Sequence, residues 1–127
     1  MTNDSYAAEA KERWGDTDAF QESQRRLAKY SKTDVEKAGF AMQEATNLII
    51  AAMRSGLPPT SVDAMAGAEA HRKAISDWWY ECNYEIHIGL ATMYLTDPRF
   101  KAHYENQSPG LAKYIHDAIM ANSTKHL

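Results

Sequence analysis

Cysteine occurs once in these 127 residues, as Cys82, so no internal disulfide is available and packing alone must hold the fold. With no apolar leading stretch that reads as a signal peptide, that usage predicts a reducing, cytoplasmic setting. Long hydrophobic runs are missing too: the longest, residues 48–53, falls far short of the roughly 20 residues a membrane span needs, which excludes a membrane partner. Positive charge is not in excess, since 14 Lys and Arg face 17 Asp and Glu for a net charge of -3. No helix carries a basic stripe, so this chain by itself is not expected to hold nucleic acid. The small cluster of Arg25, Arg26 and Lys29 is interrupted by Gln21 and Glu22 on its N-terminal side and reads as a solvated helix face. The six glycines are scattered singly, so there is no glycine-rich phosphate loop and nucleotide chemistry is disfavoured.

Between the few glycines and prolines lie Ala, Leu, Met, Glu, Gln, Lys and Arg, the residues that lose least on entering a helix, and an all-α fold follows. Residues 6–14 form a short polar helix candidate stopped by Gly15, too short to stand alone. Asp16 or Thr17 can cap a second helix to about Lys29, with Phe20, Leu27 and Tyr30 as a partial apolar stripe. Ser31 with Asp34 resembles a capping box and opens the longest helix, ended by Gly56 before Pro58 and Pro59. Phe40, Ala41, Ala45, Leu48, Ile49, Ala52 and Met53 recur along it at helical spacing and predict one broad core face. Ser61 caps the next helix, through Met65, Ala68, Ile75, Trp78 and Trp79; whether it runs on past Asn83 is open from periodicity. A further helix passes through Ile86, Leu90, Met93 and Tyr94. Thr96-Asp97-Pro98 and Ser108-Pro109 each place proline in the first turn of a later helix. The expectation is one compact domain over residues 1–127, of six or seven helices, bundle-like or globin-like in packing.

Candidate chemistry is sparse. His71, Cys82, Glu85 and His87 could in principle ligate a metal, but their spacing fits no zinc pattern and no metal or cofactor is implied. Cys82 and His87, five apart, do not share a helix face well enough to act as nucleophile and base, and a structural thiol is the better reading. Glu81 and Glu85 would share a face on one continuous helix and could act as an acid and base pair, although two solvated acids explain them as well. Without a nucleophile or cofactor motif beside them, the chain is not expected to be an enzyme. What stands out is the density of rings between His71 and Tyr94: Trp78, Trp79, Tyr80, Tyr84 and His87 lie between. Rings at helical spacing are usually core; rings with polar tips are also what a mostly apolar ligand pocket is made of.

Several separated blocks then carry a resemblance over nearly the whole chain. Residues 12–20, Glu-Arg-Trp-Gly-Asp-Thr-Asp-Ala-Phe, are followed by His71-Arg72, Cys82-Asn83-Tyr84-Glu85-Ile86-His87, Met93-Tyr94 and Pro109-Gly110-Leu111. Together they resemble the TipAS antibiotic-recognition domain, the effector-binding half of certain MerR-type transcription activators. The resemblance implies a globin-like helical fold with a cleft for thiopeptide or other multidrug-like antibiotics, and a leading segment, residues 1–16, that acts as a lid. Trp14 would belong to that lid, and the cleft would draw on Trp14, His71, Trp79, Tyr80, Tyr84, His87 and Tyr94. DNA would be met only through a separate N-terminal domain, so the chain is expected to be either the effector domain of an activator or a stand-alone drug-sequestering binder. In the family's founding member, thiopeptide attachment uses a cysteine two residues after the histidine matching His87; here that position is Gly89, so the resemblance implies reversible binding. A helical protein-interaction module without a small ligand is the alternative.

Overall fold

The computed structural model describes residues 17–127, which form six helices. They are α1 (Asp18–Lys29), α2 (Lys32–Arg54), α3 (Val62–Trp78), α4 (Tyr84–Thr96), α5 (Pro98–Gln107) and α6 (Leu111–His126). The helix expected over residues 6–14, the lid segment and Trp14 lie outside the described residues. No helix among them is long and apolar enough to cross a membrane.

Local chemistry sets the boundaries. Thr17 caps α1 by accepting from the amide of Phe20, Ser61 caps α3 through Ala64, and Asn83 caps α4 through Ile86. Ser31 and Asp34 make the reciprocal capping box at the start of α2. Asp97 caps α5, with Pro98 at its first position. The expected Ser108-Pro109 start is corrected by one turn element: Gly110, at φ 88°, is the N-cap of α6 and offers no side chain. The carboxylate of Glu105 reaches over from α5 instead and accepts from the amides of Gly110 and Ala112 at 3.1 and 3.0 Å.

The core lies where α2, α3, α4, α5 and α6 meet, around Ile49, Ala64, Ala68, Ala91, Tyr94, Tyr104, Leu111, Ile115 and Ile119. α2 and α3 approach so closely that a Cβ on Gly67 would stand 2.7 Å from Cγ1 of Ile49 and 3.1 Å from its backbone nitrogen. The apolar face expected on α2 is partly corrected. Ala45, Ile49 and Ala52 are buried, but Phe40 is 67% and Leu48 52% exposed. α3 and α6 cover only the side bearing Ala38, Ala45, Ile49 and Ala52, and Phe40 points away from it. α1 buries none of its residues. It is tied to the end of α3 by Arg26, which donates to the carbonyl of Ser76 at 2.6 Å, and by Tyr30, which donates to that of Trp78 at 2.5 Å.

Candidate functional site

The residues nominated from the sequence fall into three neighbouring groups. The first is buried. His71 on α3 and His87 on α4 are both 0% exposed and Tyr94 is 5% exposed. The two imidazoles stack at 5.2 Å with Nδ1 of His71 3.0 Å from Nε2 of His87. Two neutral rings at that distance must share a single proton, one nitrogen donating and the other accepting. The far nitrogen of His71 lies 3.4 Å from the Tyr104 hydroxyl, and its ring meets Tyr94 edge-on at 5.8 Å. Nδ1 of His87 is buried with no hydrogen-bond partner among the described residues. Burial holds His71 down at about 4 and His87 at about 3, the second also through His71 and Arg72. Burial likewise raises Tyr94 well above its ordinary value and Tyr104 to about 12, so the whole layer is neutral near pH 7.

The second group surrounds Tyr84. Glu69 on α3 receives Nε and Nη2 of Arg72 at 3.0 and 2.8 Å, the Tyr84 hydroxyl at 3.0 Å and the side-chain amide of Asn122 at 3.0 Å. These donors, Arg72 first, hold its carboxyl at about 2. Arg72 also donates to the carbonyl of Cys82 at 2.8 Å and sits 4.3 Å from the Tyr84 ring centre, while His126 stacks on that ring at 4.5 Å. One carboxylate thus joins α3, the start of α4 and α6. Sequence reading missed Glu69, Asn122 and His126; the spacing of three between Glu69 and Arg72 was the available signal.

The third group is the turn after α3. Trp79 closes that helix, and Trp78, Trp79 and Tyr80 are each half-buried. Tyr30 meets Trp78 and Trp79 edge-on at 5.7 and 6.4 Å. The break before Asn83 answers what periodicity left open and separates Glu81, in the loop, from Glu85, in the first turn of α4. Both are exposed and do not lie on one continuous helix, as an acid and base pair there would require. Cys82 is fully buried, its thiol pushed up to about 11 by burial, which leaves it inert at neutral pH. Among the described residues no three His, Cys, Asp or Glu side chains are grouped to hold a metal.

Gly89 faces solvent on α4, and a Cβ there would meet nothing within 4 Å. An open groove of about 660 Å³ lies elsewhere, between α2 and the end of α5, lined by Asn47, Ile50, Ala51, Arg54, Ser55 and Gln107; it includes none of the nominated residues.

Comparison with known proteins gives one consistent result. Residues 6–122 match the model of the TipAS antibiotic-recognition domain. The chain is 42% identical over 123 residues to the HTH-type transcriptional activator TipA of Streptomyces coelicolor, covering 97% of this chain and 49% of that protein. It therefore spans about half the length of the curated relatives it matches. In structure it matches TipAS of Streptomyces lividans, solved in complex with nosiheptide, at a TM-score of 0.91 and 40% identity, over 99% of this chain and 88% of that one. It also matches the antibiotic binding domain of a TipA-class multidrug resistance transcriptional regulator, at a TM-score of 0.61 and 43% identity, over 66% and 89%.

Proposed function

Because the chain belongs to the TipAS antibiotic-recognition domain family, we propose that it binds thiopeptide-like or other large heterocyclic antibiotics reversibly and is not an enzyme. The observation that carries this reading is the likeness, along 99% of the chain, to a domain solved with a thiopeptide bound. Reversibility rests on the residues. The single thiol, Cys82, is fully buried and protonated, and Gly89 leaves the exposed face of α4 without a nucleophile.

Within the nominated set, exposure divides the roles. Trp79 and Tyr80 are half-exposed and can present ring faces to a heteroaromatic ligand, together with Trp14 from the leading segment, while Tyr84, whose ring faces carry Arg72 and His126, offers its edge. His71, His87 and Tyr94 are buried and would support the site from within the core rather than touch the ligand. In the biology we propose, the bound drug either switches a DNA-binding region carried by a longer protein or is simply held away from its target. The alternative, a protein-interaction module without a small ligand, has one observation in its favour, the bare apolar positions Phe40 and Leu48 on α2.

Thermal melting of the chain against a panel of thiopeptides and other large heterocycles tests the proposal. Binding to the folded state alone stabilises by about 2.7 kcal/mol at a hundredfold excess over Kd, so the melting temperature should rise saturably with the right ligand. No shift with any of them would favour the interaction module.

A further inference from the structure

We infer that the buried His71–His87 pair is an acid-sensing latch, joining α3 to α4 only while both rings are neutral and opening the domain at that seam on mild acidification. The geometry admits one proton in the 3.0 Å contact between Nδ1 of His71 and Nε2 of His87. A proton added to the accepting ring puts an N–H on both facing nitrogens and turns the hydrogen bond into a repulsion, while one added to the donating ring must go to its outer nitrogen. The outer nitrogens offer no relief. Among the described residues that of His71 has only the Tyr104 hydroxyl at 3.4 Å, and that of His87 is buried with no partner, so a new cation there would stand desolvated.

The groups around the pair do not compensate. Among the described residues Glu69 and Arg72 of α3 are the charged groups that act on His87, and Tyr94 of α4 and Tyr104 of α5 face His71. Glu69 is committed to Arg72, Tyr84 and Asn122, while Arg72 pushes against a charge on His87. A histidine that gains a partner on folding is stabilised by acid; these two are in the opposite position. Their folded values, about 4 and about 3, lie below the ordinary 6.5 that each recovers on unfolding. The unfolded chain therefore binds more protons just below pH 6.5. The stabilisation is complete above that pH and drains away as pH falls toward 4, the unfolding constant rising up to about tenfold per pH unit for each ring. Glu69, held at about 2, adds acid sensitivity only below about 4.5, so the two effects occupy different pH windows.

Two measurements on the whole chain test the latch. Imidazole carbon shifts of His71 and His87, followed by NMR from pH 8 to 4.5, should stay those of neutral rings for as long as the protein is folded. Urea unfolding should show a constant rising by up to about a hundredfold per pH unit between pH 6 and 4.5 beyond that of a His71→Gln/His87→Gln variant. That variant keeps neutral hydrogen-bonding groups and every other histidine, whose contributions cancel in the comparison. A folded-state titration of either ring near pH 6.5, or equal pH slopes in the two proteins, would overturn the inference. If the double variant does not fold, the ring titration decides alone.

Discussion

Gly89 and Glu69 show how differently two residues of one small domain are used. Gly89 sits inside α4 with its Cβ direction open to solvent, and a helix interior pays for glycine in backbone entropy. Gly89→Ala should therefore raise stability by about 0.5–1 kcal/mol in urea unfolding, with no change in structure. Gly89→Cys should fit equally well and place an exposed thiol on that face. Mixed with a thiopeptide carrying a dehydroalanine, this variant should gain the mass of one antibiotic, whereas the natural chain should not. Glu69 is the opposite case, accepting four hydrogen bonds from three side chains that belong to α3, α4 and α6. Glu69→Gln breaks the charge-assisted pair and should cost about 1–3 kcal/mol, a loss that shrinks as pH falls from about 4.5, where the unfolded chain's carboxyl protonates, toward about 2, where the folded one does. His71 and His87 were visible in the sequence only as two residues sixteen apart. Their contact belongs to the crossing of α3 with α4, which no local spacing encodes, and the aromatic types around them fit a core layer as well as a pocket wall.

At the scale of elements, what was legible is what neighbouring residues decide among themselves. Ser31 with Asp34, Ser61 and Pro98 mark helix starts because a side chain or ring satisfies or removes a free amide within three residues. The start of α6 was misplaced for the complementary reason: its cap is supplied by Glu105 from the preceding helix, a contact made through a turn rather than along it. The buried side of α2 was half-read in the same way, since periodicity finds an apolar arc but only α3 and α6 decide how much of it is covered, leaving Phe40 and Leu48 bare. Gly67 carries the prediction that belongs here. Alanine is the better helix former by about 1 kcal/mol, yet its methyl would press on both the side chain and the backbone of Ile49. Gly67→Ala should thus destabilise by about 1–3 kcal/mol, read as a lowered melting temperature.

At the scale of the whole molecule, composition was enough for the all-helical class, and the ordered blocks around Trp14, His71, Tyr84 and Gly110 were enough for the family. The site was less legible. Ring-bearing residues nominated together are distributed over a sealed layer, a charged joint and a half-open turn, because burial is a property of the assembled helices. The central claim, a binding domain that holds a thiopeptide without bonding to it, is tested most directly by mass spectrometry of the chain mixed with nosiheptide. Under native conditions a one-to-one complex is expected, and under denaturing conditions the return of the bare chain mass. A mass increase that survives denaturation would contradict reversibility, and the absence of any native complex would contradict thiopeptide recognition itself.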